Sequence, residues 1–181
     1  MLVNETIAKF GKLDVLINNA GGASAHGDLL NGAKDLLTDY DAVFKLNVRA
    51  PIQLIQLAMP HLIKSKGNIL NTVSVDGLTP SQLVYSASKA ALIMVTKTSA
   101  MDLGPSKVRV NAIAPGPVNT AFGRSYGEPN VYKEHAEDFK KGTVLHRIAE
   151  PEEIARLACF LVSDLAENIT GSIMVDDAGV M

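Results

Sequence analysis

The sequence is short of several residue types and patterns, and each shortage excludes a class of protein. It contains no tryptophan and one cysteine, so an internal disulfide is impossible. Its apolar runs are too short to cross a bilayer, and its first residues lack the apolar core of a signal peptide. The net charge of −2 comes without a basic or acidic block, which argues against nucleic-acid and membrane partners. We therefore expect a cytoplasmic protein in a reducing compartment.

What the sequence does contain is an alternation of short β-branched runs with longer helical patterns. We predict strands at 14–18, 68–73, 108–113 and 172–176. The intervening patterns predict helices over 2–10, 39–65, 85–103, near 132–140 and from Pro151 onward. Pro51 and Pro60 predict a kink in the second of these helices, and Cys159 is predicted to be buried in the last one. This order indicates a single α/β domain with a parallel sheet and helices on both faces.

The strongest chemical signal is a tyrosine, Tyr85, followed four residues later by Lys89. Residues at this spacing share one face of a helix, so the phenol and the ammonium can point into one site. A nearby cation stabilises phenolate and lowers a tyrosine pKa from its reference of about 10, which suits Tyr85 to general acid and base chemistry. Taken alone, the pair has an ordinary alternative, because the same spacing is common on exposed helix faces.

Two further polar residues precede this helix. Ser74 lies at the end of a predicted strand, and the carboxyl ends of parallel strands line the ligand crevice of such folds. A hydroxyl there can donate a hydrogen bond to a substrate carbonyl. Asn47 lies in the earlier long helix, where a buried amide by itself indicates only a capping or helix-bending role.

Together these residues resemble the ordered motifs of the short-chain dehydrogenase/reductase family. The motifs are Asn18-Asn19-Ala20-Gly21 after a strand, Asn47, Ser74, Tyr85 with Lys89, Pro115-Gly116, and the tail from Arg147 to Gly171. The resemblance covers essentially the whole chain and implies a Rossmann-like, doubly wound parallel sheet. It also implies an oxidoreductase that transfers hydride between a nicotinamide cofactor, NAD or NADP, and a carbonyl or secondary alcohol substrate.

The resemblance further implies a role for each matching residue. Tyr85 would donate or accept the proton, and Ser74 would orient the substrate carbonyl. Lys89 would lower the pKa of Tyr85 and bind the nicotinamide ribose, while Asn47 would hold a water of a proton relay. The residues expected along the cofactor are Asn19, Ala20, Gly21, Tyr85, Lys89, Pro115, Gly116, Val118 and Thr120.

The chain departs from the family pattern before its first strand. Families of this fold hold the diphosphate with a glycine-rich turn at a helix N-terminus, and no G-x-G-x-x-G occurs in residues 1–181. Gly21-Gly22 follows the strand that corresponds to the family's fourth, not its first. The resemblance thus implies a partial domain over 1–181 that lacks the first three strands and their helices. We expect an unpaired sheet edge at 14–18 and weak cofactor binding by this chain alone.

Other interpretations stay open at this stage. The main alternative is a non-catalytic, truncated relative that pairs with a full-length family member. Homo-oligomers are also expected, because the family associates through the helices matching 39–65 and 85–103 and through its last helix and strand. A serine hydrolase using Ser74 and Lys89 would need a G-x-S-x-G elbow, which is absent. No metal site is expected, since the four histidines show no ligand spacing.

The loop after Pro115-Gly116 is expected to close over a small-molecule substrate. Its larger side chains are Phe122, Arg124, Tyr126, Tyr132 and Phe139. The rings are candidates for an apolar pocket, and Arg124 for contact with an anionic group. A mobile surface loop with its own packing explains the same residues equally well.

Overall fold

Strands and helices alternate along the chain much as the sequence predicts. The computed structural model describes residues 2–24 and 36–180, so most of the loop predicted at 23–37 lies outside the described residues. The strands are β1 (Val15–Asn18), β2 (Asn68–Thr72), β3 (Arg109–Pro115) and β4 (Ile173–Asp176). The helices are α1 (Leu2–Phe10), α2 (Leu36–Phe44), α3 (Ala50–Ser65), α4 (Leu83–Leu103), α5 (Val131–Glu134), α6 (Ala136–Lys141) and α7 (Pro151–Val162). Within these ranges no helix is both long enough and apolar enough to cross a membrane.

The described strands form one parallel sheet in the order β1-β2-β3-β4. A buried chain of polar side chains ties the sheet to α4. The Asn18 Nδ2 of β1 donates to Asn71 Oδ1 of β2 at 2.8 Å, and Asn71 Nδ2 donates to Thr96 Oγ1 of α4 at 2.9 Å. Because the strands are parallel, all their carboxyl ends lie at one edge of the sheet, where ligands bind in open α/β sheets. The predicted α/β, Rossmann-like and incomplete sheet is confirmed.

The two faces of the sheet are covered unequally. On one face, α3 and α4 bury the side chains of Ile69 and Val110. On the other face, α7 covers Leu70 with Leu161. Ile17 of the edge strand β1 is paired with Leu70 and so points to the α7 face, yet 49% of its surface is exposed. Among the described strands, β1 lies at one edge of the sheet, and the face that Ile17 occupies there is partly uncovered.

The long helix predicted over 39–65 is interrupted by a π-helical stretch. Residues Lys45–Arg49 are π-helical and connect α2 to α3. In a continuous α-helix, the residue at position 51 would donate its N–H to the Asn47 carbonyl, but Pro51 has no N–H. A π-helical turn accommodates this missing bond, and such turns are frequent at functional sites. The interruption of the helix thus lies just before Pro51, while Pro60 is inside α3.

The prediction that Cys159 is buried is wrong. Its side chain is exposed, because α7 packs on the sheet along one side only. The contacts of α7 with the core come from Ile154, Leu157 and Leu161. Helical periodicity identified the apolar stripe of α7, and Cys159 lies outside it.

Candidate active site

Tyr85 and Lys89 lie on one face of α4, as their spacing predicts. Both side chains are buried, with 7% and 3% of their surfaces exposed. Lys89 Nζ lies 5.6 Å from the centroid of the Tyr85 ring. It donates a 2.9 Å hydrogen bond to the carbonyl oxygen of Thr72, at the end of β2. The strand end therefore orients the ammonium group that α4 presents.

Ser74 is brought to Tyr85 by a tight turn after β2. It precedes the 3-10 turn Val75–Gly77, and its Oγ accepts a 3.1 Å hydrogen bond from the Asp76 N–H. Its side chain lines the same cavity as the side chain of Tyr85. A Cβ on Gly77 would lie 2.9 Å from the backbone carbonyl carbon of Lys89. Only glycine lets this turn pack directly on α4, so Gly77 sets the distance between Ser74 and Tyr85.

Asn47 joins the π-helical stretch to the turn after β1. Its side chain is fully buried. Its Oδ1 accepts from the Gly22 N–H at 3.0 Å, and its Nδ2 donates to the Gly22 carbonyl at 2.8 Å and to Ser88 Oγ at 3.0 Å. A single amide therefore holds the turn after β1 against α4, next to Lys89.

Burial changes the acidity of both titratable side chains on α4. Removal from water lowers the pKa of Lys89 to about 8. The same effect raises the pKa of Tyr85; the hydrogen bond with Ser74 opposes this rise, and the charge of Asp76 adds to it. The sequence-based expectation was a Tyr85 pKa lowered by Lys89. The structure differs because burial dominates and the ammonium is bonded to Thr72.

The predicted site residues meet in one cavity of about 960 Å³ at the carboxyl edge of the sheet. Ser74, Tyr85 and Lys89 line it, and so does every residue expected along the cofactor. The cofactor residues are Asn19, Ala20, Gly21, Tyr85, Lys89, Pro115, Gly116, Val118 and Thr120. Asn47 lies behind the wall and acts on the cavity through Gly22 and Ser88.

The loop after β3 supplies the opposite wall of the cavity. Phe122, Tyr132 and Phe139 line it, whereas Arg124 and Tyr126 do not. The Phe122 and Tyr85 rings are 5.7 Å apart, and those of Tyr132 and Phe139 are 5.0 Å apart. The apolar pocket expected from the aromatic residues is present in part, and the contact expected from Arg124 is not.

Some lining residues escaped the sequence argument. Asp76 and Ser81 line the cavity, and Gly77 shapes it from behind. Asp76 follows the strand that ends in Thr72, which is the signal that identified Ser74, so position at a strand end could have found it. The role of Gly77 depends on how the turn Val75–Gly77 packs on α4, and a sequence pattern does not reveal that packing.

The fold and the site define an oxidoreductase with a nicotinamide cofactor, and comparison with known proteins gives the family. The family model described as enoyl-(acyl carrier protein) reductase matches residues 1–181. The 3-oxoacyl-[acyl-carrier-protein] reductase FabG of Thermotoga maritima is 36% identical over 99% of this chain and 71% of its own length. Meso-2,3-butanediol dehydrogenase of Serratia marcescens is 35% identical over 98% of this chain and 68% of its own length. A crystal structure of a short-chain dehydrogenase/reductase of unknown function from Caenorhabditis elegans, with cofactor, matches with a TM-score of 0.90 at 33% identity, over 99% of this chain and 70% of that one. The chain therefore belongs to the short-chain dehydrogenase/reductase family.

The cavity fits the nicotinamide half of that family's cofactor. Gly21 leaves space in front of the ammonium, since a Cβ there would lie 3.0 Å from Lys89 Nζ and 3.3 Å from Asn47 Oδ1. Lys89 has three N–H donors, one of which is bonded to Thr72, so two remain for ribose hydroxyls. The sequence offers no glycine-rich turn for the diphosphate. The residues of this cavity therefore fit a nicotinamide and its ribose.

Proposed function

We propose that this site interconverts a ketone and a secondary alcohol with NAD(H) or NADP(H), and that Tyr85 transfers the proton. The observation that carries the proposal is that the side chains of Ser74, Tyr85 and Lys89 line one cavity at the carboxyl edge of the sheet. When bound, the nicotinamide supplies or takes up the hydride at the carbonyl carbon.

The two hydroxyl groups divide the work on the substrate oxygen. In reduction, negative charge develops on this oxygen, and Ser74 stabilises it by donating a hydrogen bond. Tyr85 donates its phenolic proton to the same atom. The raised pKa of Tyr85 keeps the phenol protonated at neutral pH, which prepares it for this donation. A pKa of about 8 lets Lys89 exchange protons in the same pH range, so Lys89 can resupply the proton from solvent.

We infer that Asn47 acts through its backbone. Its side chain is already bonded to Gly22 and Ser88. Pro51 cannot donate to the Asn47 carbonyl, as a helical residue four positions on would. This carbonyl is suited to accept from a water that hands protons to Lys89, which agrees with the role that the family resemblance implies.

Replacing Tyr85 tests the proposed reaction. Tyr85→Phe removes the transferable proton and leaves the ring packing in place, so we expect turnover to fall by about a thousandfold. The measurement is absorbance of the reduced nicotinamide with a panel of small ketones, with circular dichroism as a check of folding. Tyr40→Phe is the matched control, because Tyr40 is on α2 and 43% exposed. Turnover by Tyr85→Phe at the wild-type rate would overturn the proposal.

Cofactor titration tests which half of the cofactor this chain binds. If its cavity residues bind only the nicotinamide and ribose, then NADH, NADPH and reduced nicotinamide mononucleotide should bind with similar, weak affinity by calorimetry. Much tighter binding of either dinucleotide to the pure chain would contradict this, and the tighter one would identify the cofactor.

We also propose a subunit contact through the outer faces of α3 and α4. Exposed apolar side chains follow a seven-residue helical spacing there, with Ile52 and Met59 on α3 and Met94 and Met101 on α4. A second copy or a longer family member would cover them. The alternative of a non-catalytic subunit uses the same surface, and it predicts no turnover by the wild-type chain with either cofactor. The cytoplasmic location stays a prediction.

A further inference from the structure

The substrate side of the cavity contains a carboxylate that the proposed chemistry does not use. Asp76 lines the cavity together with Ser74, Ser81 and Tyr85. Its backbone N–H is bonded to Ser74 Oγ at 3.1 Å, which fixes it beside the reacting centre. Its charge raises the pKa of both Tyr85 and Tyr132. Asp76 therefore lines the same cavity as both tyrosines.

No cation in the described parts of the chain neutralises Asp76. Its half-buried position raises its pKa, and only a hydrogen bond with Ser81 opposes this rise. Within 2–24 and 36–180, Lys89 is the one lysine or arginine that lines the cavity, and it is not among the groups that shift the pKa of Asp76. An unpaired carboxylate in a cavity is unfavourable unless a ligand compensates it.

The other acid of the cavity differs from Asp76. Asp138 is exposed at the rim, and its carboxylate forms an ion pair with Lys141 at 3.8 Å. Asp138 therefore already has a charged partner, whereas the described residues place no ion pair on Asp76.

Aromatic rings surround the same space. Phe122, Tyr132 and Phe139 line the cavity as well, and the Phe122 ring contacts that of Tyr85. The face of an aromatic ring attracts a cation within about 6 Å of its centroid. Rings together with an unpaired carboxylate form a suitable environment for a substituted ammonium group.

We propose that the substrate is a ketone or alcohol that carries a cationic amine, and that Asp76 recognises this charge. The inference rests on the proposed function. With the reacting oxygen between Ser74 and Tyr85, the ammonium would lie against Asp76 and the rings. The reaction is otherwise unchanged: hydride adds to the carbonyl carbon, the Tyr85 proton adds to its oxygen, and the ammonium keeps all its bonds.

The same charge would assist the chemistry. A cation beside Asp76 offsets the field that disfavours negative charge on Tyr85 and on the substrate oxygen. An anionic substrate would instead be repelled by the negative charge of Asp76. Cationic substrates should therefore be favoured both in binding and in the transition state.

A pair of ketones of equal shape tests the inference. The charged member is a dimethyl-piperidinone quaternised at nitrogen, and the neutral member is dimethylcyclohexanone, in which carbon replaces the charged nitrogen. For the wild-type chain, with saturating cofactor, we expect kcat/KM to be at least about tenfold higher for the cation. Asp76→Asn should lower the ratio of the two kcat/KM values to the ratio set by the intrinsic reactivities of the ketones. This intrinsic ratio is the same for every variant, so the change between variants isolates the effect of Asp76. Asp138→Asn is the matched control and should keep the wild-type ratio.

Several outcomes separate this inference from the proposed function. Turnover of the neutral ketone without a preference for the cation, or a preference that survives Asp76→Asn, would overturn the role of Asp76 and leave the proposed function intact. If neither ketone is turned over, the proposed function fails for this chain. Calorimetry with the two corresponding alcohols then decides: tighter binding of the cationic alcohol, lost in Asp76→Asn, would support the inference, and equal or absent binding would overturn it.

Discussion

The two walls of the active-site cavity are built in different ways. The strand-end wall consists of the residues directly at the carboxyl ends of β1, β2 and β3, together with the start of α4. Its polar groups are tied by buried hydrogen bonds, from Lys89 to Thr72 and from Asn47 to Gly22 and Ser88. The loop wall consists of Phe122, Tyr132 and Phe139, which are held by ring contacts and by loop hydrogen bonds.

This difference separates chemistry from selectivity. Proton transfer needs atoms held to within a fraction of an ångström, and strand ends and helices supply that rigidity. Substrate choice needs a surface that can change between relatives, and a loop supplies it. Changes in the strand-end wall should therefore reduce turnover, and changes in the loop wall should mainly alter KM.

The largest effect expected from this comparison is that of Gly21→Ala. The added Cβ would lie 3.0 Å from Lys89 Nζ and 3.3 Å from Asn47 Oδ1, so the buried ammonium must move. The fold should remain, because the end of a lysine side chain can give way. Displacement of a catalytic group by a fraction of an ångström should lower kcat by about tenfold to a hundredfold, measured in steady-state assays.

Gly104→Ala provides the control for the same substitution. Nothing beyond the adjoining residues lies within 4 Å of a Cβ built on Gly104, and its φ of −54° is outside the left-handed region. Its kcat should equal that of the wild type. If both variants lose activity to a similar degree, the strand-end wall is not the rigid part of the site.

A second prediction concerns stability against pH and isolates buried Lys89. Its folded pKa is about 8 and its reference value is 10.5, so the folded protein releases this proton first as the pH rises. The penalty for burying the charged form is fully present below pH 8 and disappears between the two pKa values. The free energy of unfolding should therefore rise by roughly 2 kcal/mol between about pH 7 and about pH 9.5.

Urea unfolding of wild type and Lys89→Met measures this contribution. The rise should be missing in Lys89→Met, which keeps the apolar stem and has no titrating group. Tyr85 and Tyr132 have raised pKa values. Their titration therefore lowers the free energy of unfolding only above their unfolded pKa of about 10, outside this window. Parallel pH profiles of the two proteins would show that Lys89 is solvated in the folded state.

The strand-end wall could be predicted from the sequence, because its logic is local. The strand pattern placed Ser74 at the carboxyl edge, and helical spacing put Tyr85 and Lys89 on one face, whereas Asn19 was identified through the family resemblance. Each of these inferences needs only a few neighbouring residues and the rule that parallel strand ends share an edge.

The loop wall and the electrostatics could not be predicted in the same way. Whether Phe122 or Arg124 faces the cavity depends on how the loop packs on distant elements, which no local period encodes. The acidity of Tyr85 depends on burial and on Asp76, and both follow from three-dimensional packing. The residue pair alone suggested the opposite direction for this pKa.

The smallest expected effect is that of Ser125→Ala in the loop after β3. Ser125 Oγ accepts a 3.0 Å hydrogen bond from the N–H of Ala23, and it is packed closely enough that a Cβ on Gly22 would lie 3.1 Å from Ser125 Cβ. Loss of this acceptor weakens the attachment of the loop by about 1 kcal/mol, which should raise KM severalfold while kcat stays close to the wild-type value. Steady-state kinetics across a substrate series would distinguish the two parameters. A fall in kcat as large as that of Gly21→Ala would mean that the loop also positions the reacting groups, because turnover would then depend equally on both walls.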